Sequence, residues 1–509
     1  MKALSGCCFL LLFSSLSGGI LRAQAPDRQV DRPARFAAAS SRVEPASLRL
    51  YESIPVSTHS DEARKDIELA IDKYENGLLD DAIVHAQHAT ENDKEFALGY
   101  AVLSFVSRRT APDAAALARA KALLPQAAPD EELIARWMIS VQEGNLLPAI
   151  MNMNDLIQRY PKNEHVLYLT SEWLYFQQDY DRARQAMENI LQIDPKFSPA
   201  LNILGHTYLQ SGNPDPAKAI ATLKRYVELQ PGQPNAEKSL GEVLSQTGDD
   251  LSSAEHYGEA LQLEPTYVAA RVGLADTLTL LGDYSDAREQ YDRAIAAAES
   301  PRDRFHAEYQ KALVPLWEGH LAEGRKLLET LAEKARAQEE PYTQFEIGFA
   351  QALLTSNAEV ELAQLNSLQS SLQDPAALEG MTEADRNALL SVVWRERARV
   401  YATSGQADAA NQAVHELEEL AAHTRDQIIE TVYESAHGYA LFAQGDMANA
   451  ADELATDEHN PLVLRQLILT QEKLANARAA EASRARLKYL RASTIEWYLV
   501  AKAGSGTAD

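Results

Sequence analysis

Three stretches of this chain share one frame: LGHTYLQSG (Leu204–Gly212), LGEVLSQTG (Leu240–Gly248) and LADTLTLLG (Leu274–Gly282). A leucine precedes a small residue, a larger residue follows three on, and a glycine closes four further on. Extended both ways, the frame gives units at 130–163, 164–197, 198–233, 234–267 and 268–301. Four are 34 residues long and one is 36, the extra two falling at NPDPAKA, where Pro214 and Pro216 lengthen a turn. A period of this length demands a stack of supersecondary units rather than one closed core.

The last of these units shows what the frame is for. Two antiparallel helices approach closely only where one carries a small side chain. Ala275 and Ala287 let the two helices of the unit meet, Ala294 lets the second meet the next unit, and Tyr291 fills the space beside them. Gly282 ends the first helix as a left-handed cap, and Asp283 caps the start of the second. Pro161, Pro195, Pro231 and Pro265 stop the second helices, because the proline ring clashes with continued helix. Ordering each residue costs on the order of 1–2 kcal/mol of backbone entropy, which one hairpin cannot offset by burial. Stacked neighbours can.

Composition agrees. The 509 residues include 23 Gly and 21 Pro, and helix-favouring Ala, Leu, Glu, Gln and Arg dominate. No run of alternating β-branched residues stands out. The fold class expected is all-α, an α-solenoid of tandem helix-turn-helix repeats.

The frame resembles the tetratricopeptide repeat: small at position 8, Gly at 15, small at 20, aromatic or large at 24, small at 27, Pro at 32. The 268 unit supplies Ala275, Gly282, Ala287, Tyr291 and Ala294, and the 164 unit Ser171, Ala183, Met187 and Pro195. The resemblance implies a right-handed superhelix and, with the leader described below, an exported bacterial protein of many such repeats. The frame also fits 63–96, then weakens through 97–129. After 301 it returns around Gly319, Gly405 and Gly445, for about eleven units, while 341–380 is helical without a clean frame. The organisation expected is a signal peptide (1–25), a flexible linker (26–62), N-terminal repeat-like units (63–129), the regular array (130–301), degenerate units (302–464), capping helices (465–501) and a tail (502–509).

The signal assignment rests on Lys2, a short apolar run and Ala23-Gln24-Ala25, a small-x-small cleavage site. The protein is therefore expected to be exported, periplasmic or secreted, with no stable membrane span after cleavage. LSGC (Leu4–Cys7) has its apolar segment after the cysteine, so a lipoprotein is not expected. Both cysteines, Cys7 and Cys8, leave with the signal, and disulfides and thiol chemistry leave with them. Removing Lys2 and Arg22 leaves 46 basic against 74 acidic residues, a net charge of −28. Such a field repels phosphate backbones and anionic lipid, so nucleic acid is not an expected partner. Solubility explains the charge; a basic partner is the alternative. LRLYESIPV (Leu48–Val56), in the linker, reads as disordered or as an extended peptide lying in the protein's own groove.

A search for catalytic signatures finds none. GHLAEGRK (Gly319–Lys326) imitates a phosphate loop but has Arg325 where lysine belongs. HELEELAAH (His415–His423) separates its histidines too widely for a zinc protease. His85 and His88 share a helix face, but no third ligand lies nearby in sequence, so neither a metal nor a cofactor is expected. RAAEASRARLKYLR (Arg478–Arg491) carries five basic residues and one acid, and reads as a polar cap or as a docking surface for an acidic neighbour.

In the tetratricopeptide family, first-helix positions 2, 5, 9, 12 and 13 line a concave groove. Carried over, the partner-binding candidates are Tyr168, Glu172, Tyr175 and Phe176, then Asn202 and His206, Lys238 and Glu242, and Asp276. Tyr175 and Phe176 read equally as packing residues. The family's clamp on a C-terminal carboxylate is not carried over, because Glu242 would repel it. The function expected is a non-enzymatic scaffold of the bacterial envelope that binds a protein or peptide. An envelope-glycan hydrolase with a site assembled only in the fold, or a self-assembling structural protein, are the alternatives.

Overall fold

The computed structural model describes residues 56–107, 113–373, 381, 383–424 and 426–504. The signal peptide, the linker up to residue 55, all of Leu48–Val56 but its last residue, and 505–509 of the tail lie outside the described residues. Among the described residues the fold is all-α, with 25 α-helices and no strand.

The helices run as successive hairpins. They are α1 (Asp61–Glu75) with α2 (Leu79–Asn92), α3 (Ala97–Ser107) with α4 (Ala114–Leu123), and α5 (Pro129–Gln142) with α6 (Leu146–Arg159). Next come α7 (Glu164–Phe176) with α8 (Tyr180–Ile193), α9 (Ser198–Gln210) with α10 (Pro216–Leu229), α11 (Pro234–Thr247) with α12 (Asp250–Leu263), and α13 (Val268–Leu281) with α14 (Tyr284–Ala297). Then follow α15 (Pro301–Trp317) with α16 (Leu321–Ala337), α17 (Pro341–Leu353) with α18 (Ala358–Gln373), and α19 (Glu383–Thr403) with α20 (Ala407–Thr424). The last are α21 (Gln427–Gln444) with α22 (Met447–Leu454), α23 (Pro461–Lys473) with α24 (Ala477–Leu487), and a final α25 (Ile495–Gly504).

The hairpins follow the frame closely. Ala275, Ala287, Tyr291 and Ala294 are fully buried in one cluster with Val272, Ala307 and Val314. Tyr257 of α12 shows how tight the crossings are: a Cβ placed on Gly273 of α13 would stand 2.4 Å from its ring, and one on Gly241 of α11 3.2 Å. Gly282 has φ +89°, and the following amide, Asp283 N, donates to Leu278 O at 2.9 Å, closing the left-handed cap. Asp283 differs from expectation. It occupies the N-cap through its backbone, and its side chain accepts no capping bond. Its site is exposed, so the free amides of the first turn face solvent. At the lengthened turn, Pro216 stands in the first turn of α10 and Asp215 caps it, accepting from Lys218 N at 3.0 Å.

Two places hold more structure than the sequence suggested. The frameless stretch 341–373 folds as the α17–α18 hairpin, with Phe345, Ile347 and Phe349 in the core. At the end of the expected linker, Thr58 is buried and donates to Asp93 Oδ2 at 2.7 Å, and Ser60 caps α1.

The described residues form two compact units: 56–171 with 186–200, and 172–185 with 201–504. The first buries Phe105 against Tyr74 and Trp137. The second has a large core built from α15 to α19 and closed by Ile495 and Tyr498 of α25. No described helix is long and apolar enough to cross a membrane.

Candidate functional site: a first-helix face held by the C-terminal segment

The nine groove candidates are mostly not open to solvent. Tyr168, Glu172, Tyr175, His206, Lys238, Glu242 and Asp276 are buried, and Phe176 and Asn202 are half-buried. What covers them differs between the two units.

In the first unit, Tyr168 packs on Phe197, ring centroids 5.8 Å apart, and its hydroxyl donates to Glu75 O at 3.4 Å. Beside it His165 Nδ1 lies 2.8 Å from Glu75 Oε2, both side chains almost fully buried. Burial works against protonating His165, but the carboxylates of Glu75, Glu164 and Asp72 outweigh it and raise its pKa.

In the second unit, Tyr175 is stacked edge-on to Phe176 and Tyr180, and Tyr180 lies 4.8 Å from the His459 ring. On α9 and α11 the candidates bond to one another. Lys238 Nζ donates to Glu242 Oε1 at 2.9 Å, and His206 Nε2 stands 3.5 Å from Glu242 Oε2. Burial pushes Glu242 up to about 7 against the pull of Lys238. Burial and Lys238 together hold His206 down at about 3. The sequence reading that Glu242 would spoil a carboxylate clamp gains a direct cause here: Lys238 is already taken.

The remaining first-helix face of the second unit is occupied by the chain itself. Arg486, at the end of α24, donates from Nη1 to Leu209 O and from Nη2 to Gln210 O at 3.2 Å. It thereby neutralises the carbonyl end of α9, where the helix dipole favours a cation. Arg491 donates to Ser245 O near the end of α11 and forks onto Asp250 at 2.5 and 2.7 Å. Such two-pronged pairs are among the stronger hydrogen bonds. Ser493 donates to Asp276 Oδ1 at 2.7 Å; Tyr291 and Gln310 also donate to that oxygen, at 2.5 and 3.1 Å. Burial still raises Asp276 to about 6. Ile495 then enters the core, and Tyr498 meets Trp317 edge-on at 5.4 Å.

The segment 486–498 therefore runs past α9, α11, α13 and α15 in order. Position 9 of the frame forms a column beneath it, His206, Glu242 and Asp276, and Gln310 of α15 extends it. His206 lies near Glu242, and Gln310 donates to Asp276. Gln310 was not among the expected groove residues, because the groove positions were carried only as far as the 268 unit, and the longer α15 shifts Gln310 off position 9. Sequence reading missed Arg486, Arg491 and Ser493 as well, although the basic stretch ending at Arg491 was the available signal. That stretch does not serve only as a polar cap, since Arg486 is 5% exposed.

Between this segment and the helices lies a cavity of about 110 Å³, with Gln178, Gln246, Arg395, Asp457, Arg491 and Glu496 in its wall. Its acids are Asp457 and Glu496. Arg395 Nη1 donates to Asp457 at 3.1 Å, and burial raises Glu496. Nearby Glu346 is pushed up to about 8 by burial, Arg302 opposing and Glu496 adding to it. GHLAEGRK forms a turn and the start of α16, with Gly324 packed on Leu316 as the repeat frame requires. Metal-ligand geometry occurs away from this face, at Asp66, His85 and His88 and at Glu237, His256 and Glu259.

A tetratricopeptide-repeat family model matches residues 174–243 and 252–314. Among curated proteins, a DnaJ homolog subfamily C member 7 homolog of Schizosaccharomyces pombe is 26% identical over 196 residues, 34% of this chain and 40% of that protein. The BBSome complex member BBS4 of Bos taurus is 26% identical over 180 residues, 35% of this chain and 34% of its own length. The chain thus spans two fifths or less of these two relatives. Among solved structures, a tetratricopeptide repeat protein from Parabacteroides merdae is 15% identical, covering 53% of this chain and 93% of that one with a TM-score of 0.34. MamA is 24% identical, covering 33% and 95% with a TM-score of 0.28.

Proposed function

Because this chain carries tetratricopeptide repeats, we propose that it is a non-enzymatic scaffold of the bacterial cell envelope. Its recognition face lies on the first helices α9, α11, α13 and α15. The C-terminal segment 486–498 acts there as a built-in occupant, and a protein or peptide partner displaces it. The observation that carries this reading is the fork of Arg491 on Asp250 beside Ser493 on Asp276. A segment held by an arginine, a hydroxyl and then an apolar residue defines the chemistry a partner must match: an extended Arg-x-Ser/Thr-x-apolar stretch. A basic contact of this kind also suits a chain with a formal net charge of −26.

The test uses the full chain carrying Arg491→Ala and Ile495→Asp, which loosens the segment in place. A labelled peptide of residues 488–504 is expected to bind this variant saturably and the parent chain far more weakly. Adding Asp250→Ala and Asp276→Ala is expected to abolish the binding. A helical, folded variant that binds no peptide would refute the built-in occupant. Envelope location is tested by fractionating cells that express the whole chain and sequencing the N-terminus of the exported form. Cleavage after Ala25 is expected; an intact, cytoplasmic chain would overturn it.

A further inference from the structure

We infer that Asp66, His85 and His88 form a binding site for a divalent transition-metal cation. Sequence spacing offered only two ligands, one turn apart on α2. The fold supplies the third from α1, and one ligand atom from each residue lies within 4.8 Å of the other two. His85 Nδ1 stands 3.0 Å from Asp66 Oδ1, and the two imidazole rings are perpendicular with centroids 6.3 Å apart. Asn92 Nδ2 donates to Asp66 Oδ2 at 3.3 Å. An outer hydrogen bond of that kind fixes a ligating carboxylate and leaves its other oxygen for the ion. Asp66 and His85 are mostly covered, at 18% and 27% side-chain exposure, while His88 is exposed and gives the ion its way in.

A second hairpin supports this independently. Counted from residue 63, the three ligands stand at frame positions 4, 23 and 26. Counted from 234, the same positions hold Glu237, His256 and Glu259. His256 Nδ1 lies 2.8 Å from Glu237 and 3.7 Å from Glu259. The 268 unit shows that the register itself brings these positions together. There they are Arg271, Gln290 and Arg293, and Arg271 Nη1 donates to Gln290 Oε1 at 3.0 Å. A position facing its partner across the hairpin becomes a cation site when acid and imidazole fill it, and not when arginine does.

The ligand set names the class of ion. Two imidazoles and one carboxylate suit zinc, nickel or copper, whereas calcium and magnesium prefer all-oxygen sites. Three protein ligands leave room for water, as in open rather than purely structural sites. The 237/256/259 group offers one imidazole and two carboxylates, so it is the weaker of the two. Bound, the ion staples α1 to α2.

The test is calorimetric titration of tag-free full chain with Zn²⁺ alone near neutral pH, with thermal unfolding alongside. Saturable binding in two classes is expected, with a rise in melting temperature. His88→Ala is expected to lose the tighter class and His256→Ala the weaker, each by about ten-fold or more. His88 is exposed, so its variant keeps the parent's helical circular dichroism. Absence of saturable binding by parent chain would overturn the site, and so would undiminished binding by folded His88→Ala. Calcium binding as tight as zinc would overturn the choice of ion.

Discussion

Each of the two units buries a histidine beside a glutamate on its first helices, and the two histidines shift in opposite directions. His165 and Glu75 are 2.8 Å apart and His165 is raised; His206 and Glu242 are 3.5 Å apart and His206 is held at about 3. Burial is similar in both. The third group decides. Around His165 further carboxylates, Glu164 and Asp72, add to Glu75. Around His206 the third group is Lys238, which takes the carboxylate and repels a proton from the imidazole. A buried pair therefore has no fixed shift of its own; its surroundings set the direction.

The largest test of that account is Lys238→Met. It leaves Glu242 buried without its cation, and such losses cost about 3–5 kcal/mol. Denaturant unfolding should report that destabilisation, while the pKa of His206, held down by burial and by Lys238, should rise from about 3 as read from its imidazole resonances. A His206 titration unmoved by the loss of Lys238 would break the comparison. Glu75→Gln makes the converse change in the first unit. Weakening a buried charged hydrogen bond should cost about 2–3 kcal/mol, and the pKa of His165 should fall. A His165 titration unmoved by this change would show that Glu75 is not its main partner.

The pH dependence sharpens the contrast. His165 is raised, so its contribution is present below about 6.5 and is lost as pH rises through its folded value. In the second unit His206, His306 and His459 are lowered to about 3, 4 and 3, so their contribution is lost as pH falls below about 6.5. Asp276, Glu242 and Glu346, raised to about 6, 7 and 8, act in the opposite sense, favouring the folded state as pH falls. The two sets oppose each other between about pH 4.5 and 6.5, and stability should be nearly flat there. Above that window Glu242 and Glu346 still titrate and His165 loses its contribution in the same sense, so stability should fall by on the order of 2–3 kcal/mol up to about pH 8. Glu346→Gln should flatten this upper limb, as measured by unfolding at a series of pH values.

The smallest expected effects are at the helix starts. Asp249 accepts from Ser252 N at 3.3 Å, so Asp249→Ala should cost about 1 kcal/mol. Asp283 makes no such bond, and Asp283→Ala should stay within about 0.5 kcal/mol. Equal losses at the two sites, read from paired denaturation curves, would mean that the caps act through water.

These differences also mark what a sequence can carry. The crossing of α13 and α14 was legible because it needs Ala275, Ala287 and Ala294 at fixed spacing, with Tyr291 between them. Each residue there answers to a neighbour fewer than 35 positions away. The fork of Arg491 on Asp250 spans 241 positions. No local pattern encodes it, and Arg-Ala-Ser-Thr reads like any turn. That is why the candidate residues on α9, α11 and α13 were read as open when they are covered. Burial of Lys238 and Glu242 was equally illegible. Four residues apart on one helix, they fit a surface pair as well as a buried one, and only the packed neighbours separate the two.

The tethered segment has a kinetic and thermodynamic consequence for anything else that comes to the same face. Its own residues 488–498 are covalently joined to α24, so they meet α11 and α13 at an effective concentration on the order of millimolar. A free peptide of identical sequence must exceed that local concentration to displace half of it. The strength of the Arg491 and Ser493 contacts thus sets a threshold, and small changes in them retune the apparent affinity of every competitor by the same factor.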